Sequence, residues 1–298
     1  MNNYFLLIIS IVIAALQNSI NNLCGKQYLK NMKDVLCFQS IVFLTAFLLI
    51  ALTGENSGKI SFFTVWVGIL FGGITAGTYL FTLLAVSNGP MSLTALIISL
   101  SMIIPALSGA LIWQEVIKIN HWIGLTLMLL TFAFCQKKED TVADLKEHKS
   151  TKKWFLYCMI AFVCSGLVGV LQKIHQSSIH KGELDVFLII AFAVAAMTFI
   201  LLSKLIKIEN RDKRDKIPVF RGWLFWSGIV GVCIALCNRI NLFLSGELNS
   251  AVFYPIVNGG NIILTGIISV FLFKENLGKK QIFGFCLGLV AVVLIGIG

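Results

Sequence analysis

The chain has 298 residues, of which 57% are hydrophobic and only 13% are charged. Soluble domains carry roughly 45–50% apolar and about 25% charged residues, so an ordinary globular domain is excluded, and a disordered chain would need the opposite bias. The net charge of +10 does not call for a nucleic-acid partner, because the basic residues gather between apolar runs, where membrane topology accounts for them.

A helix needs roughly 20 apolar residues to cross about 30 Å of hydrocarbon. In chain order, the first five such runs are Tyr4–Leu23, Val35–Leu52, Phe62–Val86, Met91–Trp113 and a shorter His121–Cys135. A hydrophilic stretch, residues 136–153, follows. Five more runs complete the chain: Trp154–Gln172, Val186–Leu202, Trp223–Leu244, Ser250–Phe273 and Gln281–Ile297. No cleavage pattern follows the first run, which reads as a retained span. The eight cysteines form no CxxC pair. Cys233 and Cys237 stand one helical turn apart and read as small apolar packing residues rather than metal ligands.

Two halves of this pattern match. Trp66 and Gly68 in the third span return as Trp226 and Gly228 in the eighth, and Glu115 after the fourth returns as Glu275 after the ninth, all at an offset of 160 residues. Each glutamate is followed nine positions later by a glycine, Gly124 and Gly284. Asp34-Val35 and Asp185-Val186 open the second and seventh spans, while Lys26 and Lys173 close the first and sixth. The order of these matches argues for a duplicated five-helix unit, residues 1–135 and 154–298, joined by the linker 136–153. An odd number of spans sends the second copy in upside down. The expected fold class is therefore an all-α membrane protein of ten transmembrane helices, arranged as two inverted five-helix repeats around a central cavity.

The tract Gly89–Glu115, with Pro105 in mid-helix, the small residues Ser108 and Gly109 and the closing Glu115, resembles the fourth-helix signature of the drug/metabolite transporter superfamily, EamA type. Ser250–Glu275 resembles its second copy, with an earlier proline at Pro255. The resemblance covers nearly the whole chain. It implies ten helices, a central substrate cavity and secondary transport without a nucleotide-hydrolysing subunit. The motifs are specific for the family and not for a substrate.

Charge orients the spans. The face holding both termini carries Lys59, Lys118, Lys173 and Lys181, against nineteen Lys and Arg on the other face. The positive-inside rule then puts both termini outside. Relatives are generally described with both termini in the cytoplasm, so the count departs from the family here.

No Asp or Glu falls in mid-span, which disfavours the buried-glutamate exchange used by small multidrug exporters. Arg239 is the one basic residue inside a span, about 8 Å from its outer end. It either snorkels to the interface or faces a cavity or partner. Asn238 and Asn241 flank it. In the ninth span Asn258 and Asn261 share a face beside Pro255 and Gly259-Gly260, where interrupted helices often carry sites; interhelical hydrogen bonding is the plainer reading. Gln17, Asn18, Asn21 and Asn22 give the first span a polar strip, positions 18, 21 and 22 sharing a face, and Gln39, Thr75, Thr78 and Tyr79 could complete a wall. The expected substrate contacts are Asn18, Asn22, Tyr79, Arg239, Asn258 and Asn261. No catalytic set, metal site or cofactor is indicated, since the histidines sit at span ends or in connections and neither GxSxG nor HExxH occurs.

These features point to a secondary transporter in the cytoplasmic membrane. It would move a small neutral, zwitterionic or anionic metabolite by alternating access. Its expected partners are that small molecule and the lipid bilayer, with no nucleic acid; oligomeric state stays open. A membrane-embedded enzyme or scaffold without transport activity is the alternative.

Overall fold

The computed structural model describes residues 3–29, 31–54, 60–89, 91–134, 151–206, 216–273 and 278–297, and every regular element among them is helical. In chain order these are α1 (Asn3–Gln27), α2 (Met32–Thr53), α3 (Phe62–Asn88), α4 (Met91–Ser99), a 3-10 turn (Leu100–Met102), α5 (Ile103–Trp113), α6 (Ile119–Phe134), α7 (Thr151–Gln176), a second 3-10 turn (Lys181–Glu183), α8 (Leu184–Leu205), α9 (Lys216–Glu247), α10 (Ser250–Phe273) and α11 (Lys279–Ile297). Among the described residues, nine spans are long and apolar enough to cross a membrane, α4 and α5 together forming one of them. The short fifth run becomes α6, 16 residues long, or about 24 Å of helix. This is a multi-pass membrane protein. The linker lies mostly outside the described residues, and its last three positions, Thr151–Lys153, already belong to α7.

The fourth span departs from the continuous helix its apolar run suggests. Pro105 has no N–H to give the carbonyl of Ser101, and its ring crowds that carbonyl. The turn just before it, Leu100–Met102, tightens to 3-10. Pro255, by contrast, lies inside α10, which continues through it as an α-helix.

The chain divides into two compact units, each drawing helices from both halves of the sequence. The first comprises Met1–Ala76 and His175–Phe243. Its core is α2 lying along α8. Phe43 stacks on Phe199 with ring centroids 5.6 Å apart and meets Phe192 at 6.1 Å. α3 joins through Phe71, 5.1 Å from Phe187, and through Gly72, where a Cβ would collide with the Ala191 carbonyl. Lipid offers no hydrophobic drive between helices, so close backbone approach through small residues supplies the packing.

The second unit comprises Gly77–Ile174 and Leu244–Gly298. Here α6 lies along α11, whose buried stripe is Gly284, Gly288, Ala291 and Ile295. The Ile295 side chain occupies the space a Cβ on Gly124 would need. That contact joins the two glycine-bearing helices that follow Glu115 and Glu275 in sequence. α10 packs on α5 and α11. At the start of α7, Trp154 Nε1 donates to Thr94 Oγ1 on α4 at 2.9 Å.

Candidate functional site

Arg239 is paired. Its Nη2 donates to Asp185 Oδ2 at 2.8 Å, across a sequence separation of 54 residues. Asp185 stands in the first turn of α8, where unpaired backbone N–H groups favour a carboxylate. Its side chain is 9% exposed, against 37% for Arg239. With Leu6, Leu184, Ile240 and Phe243 the pair lines a pocket of about 300 Å³. The pocket has apolar walls and one charged pair, the composition of a small-ligand site. A third-exposed guanidinium held by one nitrogen keeps further donors for a carboxylate or phosphate.

The neighbouring polar residues on α9 are used otherwise. Ser10 Oγ on α1 donates to Asn241 Oδ1, Asn241 Nδ2 donates to Cys237 Sγ at 3.4 Å, and Cys237 Sγ lies 3.6 Å from Ser10 Oγ. This cluster joins α1 to α9. Asn238 returns its amide to its own helix, at Ile234 O. Cys237 is thus a packing and hydrogen-bonding residue. Among the described residues no group of three His, Cys, Asp or Glu side chains could hold a metal.

In the same unit, Asn18 is half-buried and Asn22 exposed on α1. Asn21 Oδ1, Gln39 Oε1 and Thr75 Oγ1 are buried without a hydrogen-bond partner. Buried oxygens are normally satisfied by protein, water or ligand. Of these three, Gln39 and Thr75 were expected wall residues; Asn21 is the member of the first-helix polar strip that the burial singles out. In the second unit, Tyr79, Asn258 and Asn261 are half-buried, and Asn261 Oδ1 accepts from Thr265 Oγ1 at 3.2 Å.

Sequence reasoning missed two partners. Asp185 reads as a helix-opening residue, yet adjacent antiparallel helices put the start of α8 and the end of α9 at one membrane depth, and that geometry could have paired it with Arg239. His175 sits at a span end but is fully buried. Its Nε2 lies 3.3 Å from Thr64 Oγ1. Ser61 donates to Glu183 Oε2 through its N–H at 3.0 Å and its hydroxyl at 2.8 Å. These bonds fasten the start of α3 to the turn before α8.

Nine membrane-length apolar spans among the described residues, a shorter apolar helix and close small-residue helix contacts define an α-helical multi-pass membrane protein. Residues 152–297 match the EamA-like transporter family. The match lies in the second half of the chain; that family is part of the drug/metabolite transporter superfamily, and its members are transporters rather than enzymes. One solved structure, described only as the crystal structure of a protein, is similar to this chain with a TM-score of 0.78, covering 97% of this chain and 96% of the other at 12% identity. It supports the fold alone. No curated protein matches the sequence.

Proposed function

We propose that the protein is a secondary active transporter of the cytoplasmic membrane, built from two inverted five-helix repeats around a central cavity and working by alternating access. Its substrate is a small polar or amphipathic metabolite, neutral, zwitterionic or anionic. The observation that carries this reading is the Asp185–Arg239 pocket in a chain whose second half matches a transporter family. A guanidinium with spare donors favours an anionic or zwitterionic group, and the apolar walls favour a hydrocarbon portion beside it. The unmet oxygens of Asn21, Gln39 and Thr75 support a polar ligand or water elsewhere in the first unit. Of the substrate contacts proposed from sequence, Arg239 has this structural support, while Asn18, Asn22, Tyr79, Asn258 and Asn261 are proposed on their positions in the spans.

The test is a thermal-shift screen of metabolites on purified protein, followed by flux of each hit into proteoliposomes without nucleotide. Flux of at least one hit supports transport. Ligands that bind and never cross would favour the scaffold or enzyme alternative.

A further inference from the structure

In the second unit, Lys173 Nζ at the end of α7 lies 2.6 Å from Glu115 Oε1, just beyond α5. The same ammonium donates to Leu248 O at 3.0 Å, and Glu115 Oε2 accepts the Ser250 N–H at 2.7 Å. One ion pair therefore ties three segments: the α5–α6 connection, the end of α7 and the α9–α10 connection. Its side chains are only 6% and 14% exposed. The chain bends sharply to make it. Gln114 takes the left-handed conformation at φ 54°, unusual for a residue with a side chain, and Glu115 folds back over Gly109, where a Cβ would collide with its carboxylate.

Beneath the pair the closure continues along one face of α7. One turn down, Tyr254 OH donates to Gly169 O at 2.6 Å, with Pro105 packed against the same glycine. Another turn down, Ser101 Oγ donates to Ser165 Oγ at 2.7 Å and Ile104 covers Gly166. From Lys173 to Ser165 is about 12 Å of helix. Farther along, α10 turns to other partners: Gly259 meets Met128 of α6, and Ile263 meets Gly288 of α11. Thus α5 and α10 converge on α7 at the end capped by the ion pair, and α10 leaves it beyond.

We propose that Lys173 and Glu115 form the latch of a gate, holding this end of the second unit closed in one state of the transport cycle. The latch rests on the alternating-access reading above. An ion pair suits the role because its attraction roughly offsets the desolvation of its two charges. When the helices part, both groups regain water at the membrane face. The pair thus selects one arrangement without making its release prohibitive.

The experiment is thiol labelling of Ser101→Cys in the full chain by a membrane-impermeant methanethiosulfonate, applied from each side in turn and read by site-resolved mass spectrometry. Glu115→Gln and Lys173→Met should each raise labelling from the latch side by about tenfold and lower it from the opposite side, as when a contact made in one state alone is removed. Lys173→Arg, which keeps the pair, should label like the parent. Unchanged labelling in both neutral variants overturns the latch, as does a rise from both sides, which signals general loosening. If neither neutral variant folds, the contact is a folding requirement and the latch is again overturned. Labelling needs no substrate, so the latch fails on accessibility and the transport reading fails on flux.

Discussion

An arginine inside a membrane span needs water or a partner, and Arg239 is placed to have both: a carboxylate 2.8 Å away and a pocket beside it. Arg239→Gln removes the guanidinium's charge from beside the mostly buried Asp185 carboxylate. The single variant should melt lower than the double variant Asp185→Asn/Arg239→Gln, in which neither side chain carries a charge. Both should lose at least about tenfold in ligand affinity if the guanidinium holds the substrate's anion. Thermal unfolding and ligand titration in detergent check the two statements. Arg239 was legible in the sequence because it is the one basic residue in a span. Its partner was not, since Asp185 and Arg239 meet only when α8 and α9 lie side by side. Glu115 shows the same limit. In the sequence it simply closes the fourth span, whereas its carboxylate reaches Lys173 and the start of α10.

At the scale of elements, hydropathy located each span, because the length of an apolar run is what a bilayer demands. It located ends less well. α1 continues to Gln27 and α9 starts at Lys216, since polar residues remain helical beyond the hydrocarbon. The break in the fourth span was foreshadowed by Pro105, although the 3-10 turn before it depends on local geometry that periodicity does not register. Packing faces were partly legible. Gly124 and Gly284 stood out by their repeat spacing, and both belong to the α6–α11 contact. Gly124→Leu should cost about 1–3 kcal/mol, because the space is already filled by Ile295. Gly73→Leu should be nearly neutral, because nothing lies within 4 Å of a Cβ there. Denaturation of both variants in detergent would measure the difference; equal losses would contradict the packing described.

For the whole molecule, the matched positions at an offset of 160 residues give the reason to propose an inverted repeat, and the lysine distribution gives the proposed orientation. Cysteines introduced into residues 136–153 should label only from the cytoplasm. Labelling of those sites in intact cells would reverse the orientation. The central claim is that the Asp185–Arg239 pocket belongs to the path of a transported substrate. Its most direct test is counterflow in proteoliposomes: vesicles are loaded with the strongest ligand from the screen, diluted into a trace of the same labelled compound, and held without nucleotide. The parent chain should accumulate label transiently, while the folded Asp185→Asn/Arg239→Gln variant should reduce that accumulation at least about tenfold. Equal counterflow by the two proteins would contradict the claim.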